Sequence, residues 1–300
     1  MVFIKERLTT MEQYRGIFPA MVTPFDAKGA INYDSMEELI EKFVSEDLDG
    51  VYITGSTGEF PLLTFEERKE IIKHVCGFAG RRLKTIVHVG SSNMIEAQGL
   101  AAYAAECGAS AISSVTPFFF KYSFEEIKAY YKELAAVGMP VIIYNMPNLT
   151  GTSLTVENIK ELAEIDNVVG MKHTSSDMYI LERIKTKMPH FTVFSGPDEM
   201  CLSAYAAGSD GAIGSNYNFM GRRFKNILNY YDKHETALAL EEQRKANSVI
   251  EAVLKAGVIQ SIKYILKRKY KIDCGNCREP LAVLSDENKH ILDEAIDKYL

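Results

Sequence analysis

Eight short β-branched or apolar runs punctuate the first 215 residues of this chain: GIFPAMV from Gly16, GVYIT from Gly50, TIVHVG from Thr85, AISSVT from Ala111, VIIYN from Val141, VVGMK from Val168, FTVFSG from Phe191 and GAIG from Gly211. Helical patterns fill most of the gaps. Met36, Leu39, Ile40, Phe43 and Val44, for example, keep the i, i+3, i+4, i+7, i+8 spacing of one buried helix face. The runs start about 20 to 35 residues apart, room for one crossover helix each, and right-handed crossovers leave consecutive strands parallel. Eight parallel strands can close on themselves, so the expected fold is α/β, a (β/α)8 TIM barrel.

Ser35 with Glu38, Thr64 with Glu67 and Ser123 with Glu126 read as capping boxes that start helices. An open doubly wound sheet is the competing fold. Its dinucleotide form needs a G-x-G-x-x-G on the first strand-helix turn, where this chain has VTPFDAKGA. Beyond residue 220 the pattern is wholly helical, with Leu240, Val249, Ile250, Val253 and Leu254 assigned to one face. The expected organisation is an N-terminal extension (1–15), a barrel core (16–220) and C-terminal helices (221–300) packed on the barrel as part of the same domain.

Three hundred residues, 47% of them hydrophobic and 25% charged, suit a globular chain and exclude collagen-like or disulfide-scaffold classes. No apolar run reaches the roughly 18 residues of a membrane span, and Lys5, Glu6 and Arg7 interrupt the first apolar patch, so a cytoplasmic chain without membrane partners is expected. A net charge of -6 gives no general attraction to nucleic acid, and Lys267, Arg268, Lys269 and Lys271 read as a solvated helix face. Five cysteines, an odd number, fit reduced thiols: Cys76, Cys107 and Cys201 read as core residues. Cys274 and Cys277 lack the two further ligands of a zinc site and read as a loop.

In a parallel barrel the C-terminal strand ends converge on one face, so chemistry is sought there. After the second run comes Thr54-Gly55-Ser56-Thr57-Gly58-Glu59, whose small residues leave N–H groups unobstructed beside two hydroxyls; it is either an anion-holding loop or a simple turn. The sixth run ends at Lys172. An amine there snorkels to solvent, forms an ion pair, or stands desolvated, ready to attack a carbonyl. Tyr144, ending the fifth run, is a proton relay or a packing ring. Asp198 and Glu199 are adjacent in sequence with no histidine close by in the chain, which suits neither paired-carboxylate glycoside hydrolysis nor a metal site. With Ser215 they fit better as partners for the hydroxyls of a polyol.

The combination GSTGE, SSVTPFFF followed by SFEE, YNMPNLTG, GMKHTSSD, SGPDE and DGAIGSNYN, in this order, resembles the dihydrodipicolinate synthase/N-acetylneuraminate lyase family of pyruvate-dependent class I aldolases. The likeness spans roughly residues 14–290 and lies nearest the members that cleave N-acetylneuraminate reversibly to N-acetylmannosamine and pyruvate. The resemblance implies that Lys172 forms a Schiff base with pyruvate, that Tyr144 shuttles protons, and that Ser56 and Thr57 grip the pyruvate carboxylate. It places Thr174, Gly196, Asp198, Glu199 and Ser215 along the sugar end. It implies no metal and no cofactor beyond the covalent imine, pyruvate and an aldose as small-molecule partners, and a homo-oligomer, specifically a tetramer.

Two positions depart from the pattern. Phe119 stands where relatives commonly have a tyrosine that reaches a neighbouring subunit's site, and Pro197 stands where a tyrosine is frequent. Dihydrodipicolinate synthase usually carries an arginine after the fifth strand to hold a second carboxylate, whereas this chain has Leu149, which cannot do so. The acidic pair at 198 and 199 would also repel such a substrate. The remaining alternatives are that enzyme, a keto-deoxy-sugar-acid aldolase, or a barrel that binds a sugar acid without catalysis.

Overall fold

The structure is a computed structural model that describes residues 14–300, so residues 1–13 of the expected extension 1–15 lie outside it. Its strands are β1 (Gly16–Pro19), β2 (Gly50–Ile53), β3 (Lys84–His88), β4 (Ala111–Val115), β5 (Val141–Asn145), β6 (Val168–His173), β7 (Thr192–Ser195) and β8 (Gly211–Gly214). Each pairs in parallel with its sequence neighbours from β2 to β8, and β8 pairs in parallel with β1. The remaining seam is closed by a parallel bridge of Ala20 to Tyr52, where the Met21 N–H donates to the Tyr52 carbonyl at 2.9 Å. This is the (β/α)8 barrel expected from the alternating runs.

One helix follows each strand: α1 (Tyr33–Ser45), α2 (Phe65–Ala79), α3 (Met94–Glu106), α4 (Phe124–Ala135), α5 (Val156–Ala163), α6 (Met178–Lys187), α7 (Cys201–Ala206) and α8 (Tyr217–Asp232). Three more complete the chain: α9 (Thr236–Ala256), α10 (Val258–Ile265) and α11 (Asp286–Tyr299). Thr64 and Ser123 form the expected capping boxes with Glu67 and Glu126. Ser35 does not. Helix α1 starts earlier, at Tyr33, with the Asn32 side chain accepting from the Ser35 N–H, and the Ser35 hydroxyl donates to the Asp273 carbonyl. Asparagine competes well for the cap position, so the earlier start wins.

The strands sort their side chains by the period of two. Phe18, Tyr52, Ile86, Ile142, Tyr144, Phe194 and Ile213 fill the barrel interior, while Ile17, Val51, Ile53, Val87, Ile143, Val193 and Ala212 face the helices. That outer core runs without a break into Phe224 of α8, Val249, Ile250 and Val253 of α9, Ile262 of α10 and Leu292 and Ile296 of α11. On α9, however, Leu240 and Leu254 are exposed. The buried residues are instead Ala239, Gln243, Ala246, Val249, Ile250, Ala252, Val253 and Ala256, so the face against the core begins on alanines rather than on Leu240. Among the described residues no helix is long and apolar enough to cross a membrane.

Candidate active site

Strand β6 breaks the alternation once. Val141 of β5 pairs with Val168, but Ile142 pairs with Gly170, leaving Val169 as an extra, bulged residue. Val168 faces the helices; without the bulge, parity would send Lys172 the same way. The extra residue reverses that parity, so Met171 faces outward and Lys172 stands inside the barrel. Gly170 permits the inward step, since a Cβ there would lie 2.6 Å from the Thr192 carbonyl oxygen.

Lys172 is 5% exposed. Its Nζ donates to the Tyr144 hydroxyl at 3.3 Å and lies 4.3 Å from the Tyr144 ring centre and 5.2 Å from that of Tyr52. Among the described residues no carboxylate forms an ion pair with it. Snorkelling and ion pairing are thereby set aside, and a desolvated amine beside a phenol remains.

The hydroxyl loop arches over the mouth. Thr54 takes a left-handed φ of 53°, with its Oγ1 donating to the His88 carbonyl at 2.8 Å, and Gly55 follows where a Cβ would fall 2.5 Å from the Tyr52 ring. Thr57 Oγ1 is 2.7 Å from Ser215 Oγ, tying the loop to the end of β8, and Ser56 Oγ faces the Met146 sulfur at 3.9 Å beyond β5. Two hydroxyls with nearby backbone donors suit a carboxylate. Glu59 ends the loop with φ 61°, its carboxylate buried between Lys263 Nζ of α10 at 2.7 Å and the Arg278 N–H at 2.8 Å. Arg278 in turn bonds the Leu62 and Gly29 carbonyls and pairs with Glu67, whose carboxyl it holds down at about 2. Helix α10 and the irregular segment carrying Arg278 thus grip the end of the loop.

The opposite side of the mouth is polar. Thr174, Gly196 and Ser215 are half-buried, Asp198 is buried and Glu199 is exposed, so the adjacent acids do not act as one buried pair. A Cβ on Gly196 would meet Thr174 Oγ1 at 2.0 Å, and one on Gly214 would meet Asp198 Oδ1 at 1.8 Å. Glycine is required at both for those polar side chains to reach in. Asp198 Oδ2 accepts from the Asn216 N–H and Nδ2, each at 2.8 Å, while Oδ1 has no partner. Burial pushes this carboxyl up to about 6, against the two Asn216 bonds and the Lys172 charge, which pull it down. Thr174 Oγ1, Ser195 Oγ and Asn216 Oδ1 are likewise buried without partners. A run of unsatisfied polar atoms at one barrel end is the pattern of a site that a hydroxylated ligand completes.

Buried side chains near the site that escaped the sequence reading include His88 and Arg68. His88, fully buried at the end of β3, accepts the Val115 N–H on Nε2, so its Nδ1–H donates to the Thr54 carbonyl; burial holds it neutral, well below the ordinary histidine range. Arg68 of α2 donates to the His88 and Gly90 carbonyls at 2.7 and 3.0 Å. It sits within the charged segment EERKE, yet shares the face of Ile71, Ile72 and Val75. That spacing was the available signal.

Of the departures, Phe119 is exposed with a left-handed φ of 82°, and Leu149 is exposed on the helical turn Pro147–Thr150. Pro197 leads into the turn Asp198–Met200. Cys76, Cys201 and Cys274 are buried, Cys107 and Cys277 half-buried, all as free thiols. Burial raises Cys274 and Cys277 to about 12, far from reactive thiolates. A cavity of about 920 Å³ opens behind the Glu59 anchor, but four of its five cations, Lys263, Lys267, Arg278 and Lys289, are each paired with a carboxylate, leaving Lys28 without such a pair among the described residues. The convergence of unpaired groups is at the barrel mouth instead.

The chain matches the model of the dihydrodipicolinate synthetase family over residues 13–299. It is similar to the solved structure of CdNal from Clostridium difficile in complex with mannosamine, at 37% identity and a TM-score of 0.92 over 95% of this chain and 99% of that one. A catalytic-lysine mutant of the Ruminococcus gnavus sialic acid aldolase matches at 30% identity and a TM-score of 0.93, covering 96% and 99%. Dihydrodipicolinate synthase from Aquifex aeolicus matches at 29% and 0.91, covering 95% and 98%.

Proposed function

Because the chain belongs to the dihydrodipicolinate synthetase family, we propose that this carbon–carbon lyase reversibly cleaves N-acetylneuraminate to N-acetylmannosamine and pyruvate through an imine on Lys172. The observation that carries the reading is the buried Lys172 amine, which forms no ion pair with a carboxylate among the described residues and lies 3.3 Å from the Tyr144 hydroxyl. Lys172 attacks the C2 carbonyl of the open-chain sugar acid, and the resulting protonated imine accepts the electron pair released when the C3–C4 bond breaks. Tyr144 takes the C4 hydroxyl proton and later returns a proton to C3 of the enamine. Ser56 and Thr57 hold the pyruvate carboxylate.

Thr174, Asp198, Glu199 and Ser215 take the sugar hydroxyls, with Gly196 leaving the space. The partnerless buried oxygens at Thr174, Ser195 and Asp198 support a hydroxylated second substrate. The exposed, apolar Leu149 offers no partner for a second carboxylate, which disfavours an aspartate-semialdehyde substrate. The imine serves as the electron sink, so the reaction is written without metal or cofactor. We further propose a cytoplasmic homotetramer.

Borohydride reduction in the presence of pyruvate tests the reading. Intact-mass and peptide analysis should find one reduced pyruvyl adduct on Lys172, and Lys172→Ala should abolish it. An adduct elsewhere, or none, would overturn the assignment, and a protein that binds pyruvate without covalent capture would be a binding barrel.

A further inference from the structure

We propose that Tyr52 is a positioning residue whose ring face, with that of Tyr144, holds the positive charge carried by Lys172 Nζ. The inference rests on the imine reading above. The two rings stand edge to face with centres 6.0 Å apart, and Nζ lies 5.2 Å from one centre and 4.3 Å from the other. Both distances fall within cation–π range.

The ring of Tyr52 is fixed from three sides. Its hydroxyl donates to Ser113 Oγ at 3.2 Å inside the barrel, the absent side chain of Gly55 lets it lie beneath the hydroxyl loop, and it packs against His88 with ring centres 6.3 Å apart. Tyr52 is 1% exposed, and burial beside Tyr144 raises its phenol well above the ordinary range, so it stays neutral and offers a face rather than a charge.

The chemistry explains why a face suits this amine. The neutral amine must attack the ketone: the C–N bond forms, the carbonyl oxygen gains protons and leaves as water with the C–O pair, and nitrogen sheds one hydrogen as a proton. Amine, ketone and one proton give iminium and water. Nitrogen must therefore be unprotonated during the attack, whereas any ammonium form that precedes it and the iminium that follows are both cations. A carboxylate partner would hold the ammonium form, whereas two ring faces attract either cation weakly enough to release the proton between them. Gly55 couples this cradle to Ser56 and Thr57, so one ring orders both the amine and the loop that receives the ketone's carboxylate.

The test is a pyruvate titration of borohydride-trapped adduct in the full-length protein. Tyr52→Phe keeps the face and Ser113→Ala removes only the hydroxyl's partner; both should trap at wild-type pyruvate concentrations within about twofold. Tyr52→Leu should need about 3- to 30-fold more pyruvate. Pentafluorophenylalanine at position 52 keeps the ring's shape while withdrawing its π density, and should fall with leucine. This variant also decides the matter if Tyr52→Leu does not fold. Wild-type trapping by the leucine or fluorinated variant would overturn the cradle alone, as would a phenylalanine variant as poor as leucine. Absence of adduct in the wild type would instead remove the imine reading and the cradle with it.

Discussion

Tyr144 and Lys172 are register partners across β5 and β6, and they meet inside the barrel because Val169 is bulged out of the ladder just before them. Strand pairing sets their separation, so neither side chain depends on a mobile loop for its place. Sites built on strands hold geometry more closely than sites built on loops.

That relationship predicts a separation of steps. Tyr144→Phe keeps the ring beside Nζ and removes the proposed proton relay, so turnover should drop about 10²- to 10⁴-fold while borohydride still traps pyruvate on Lys172. Steady-state cleavage and intact-mass analysis measured on one preparation decide it. A turnover loss below about threefold would pass the relay to the substrate or water.

The alternation of strand and helix was legible because burial imposes different periods on the two, and the ends of β5 and β6 drew attention to Tyr144 and Lys172 as residues out of keeping with an apolar run. The bulge was not legible. VVGMK reads equally well with or without an extra residue, since only the registers of β5 and β7 set its parity. The Glu59 to Lys263 pair was also hidden, because it joins two elements far apart in the chain and a buried lysine on a helix looks like any surface one. Treating residues 221–300 as a continuation of the barrel's domain draws support from the core they share with it and from this pair.

Asp198 supplies a pH dependence whose sign follows from its elevated carboxyl, at about 6 when folded against an ordinary value near 3.8. Between those values the folded state holds the proton more tightly, so stability falls as pH rises through that window and the ionised form is penalised above about 6. Asp198→Asn keeps one oxygen for the two Asn216 donors and removes the charge. It should be more stable than wild type at pH 8, by a margin on the order of 2–3 kcal/mol in a denaturant titration that closes toward pH 4. Sugar cleavage should behave oppositely. In the wild type it should fall as pH drops below about 6, and in Asp198→Asn it should be roughly 10- to 100-fold weaker with that acid limb gone, since charged acceptors contribute about 1.5–3 kcal/mol. Equal cleavage by both proteins at pH 8 would remove Asp198 from the sugar pocket.

Gly196→Ala tests the packing that admits Thr174. The new methyl would lie 2.0 Å from Thr174 Oγ1 and 2.8 Å from the Thr174 Cα, so rotating the hydroxyl does not relieve it. Overpacking of this kind costs about 1–3 kcal/mol. Chemical denaturation should show that loss, and cleavage of the sugar acid should suffer more than pyruvate trapping, because the strain falls on the sugar end. A variant with unchanged sugar kinetics would show that Thr174 does not contact that substrate.

The anchor beneath the hydroxyl loop gives the last prediction. Glu59 adopts a left-handed backbone in a residue that has a Cβ, and its buried carboxylate relies on Lys263 and the Arg278 N–H. Strain of that sort persists only where surrounding contacts over-determine it. Lys263→Met keeps an unbranched side chain but removes the ammonium that lies 4.4 Å from the Phe25 ring centre and leaves the carboxylate without its cation, which costs about 3–5 kcal/mol for a buried pair broken on one side. Adding Glu59→Gln removes the stranded charge, so the double variant should recover part of that loss in a denaturant titration. The effect should also reach the mouth, because the same residue ends the loop carrying Ser56 and Thr57: half-saturating pyruvate for trapping should rise in Lys263→Met. If stability fell and trapping were unchanged, the anchor would support the fold without setting the loop proposed to receive the carboxylate.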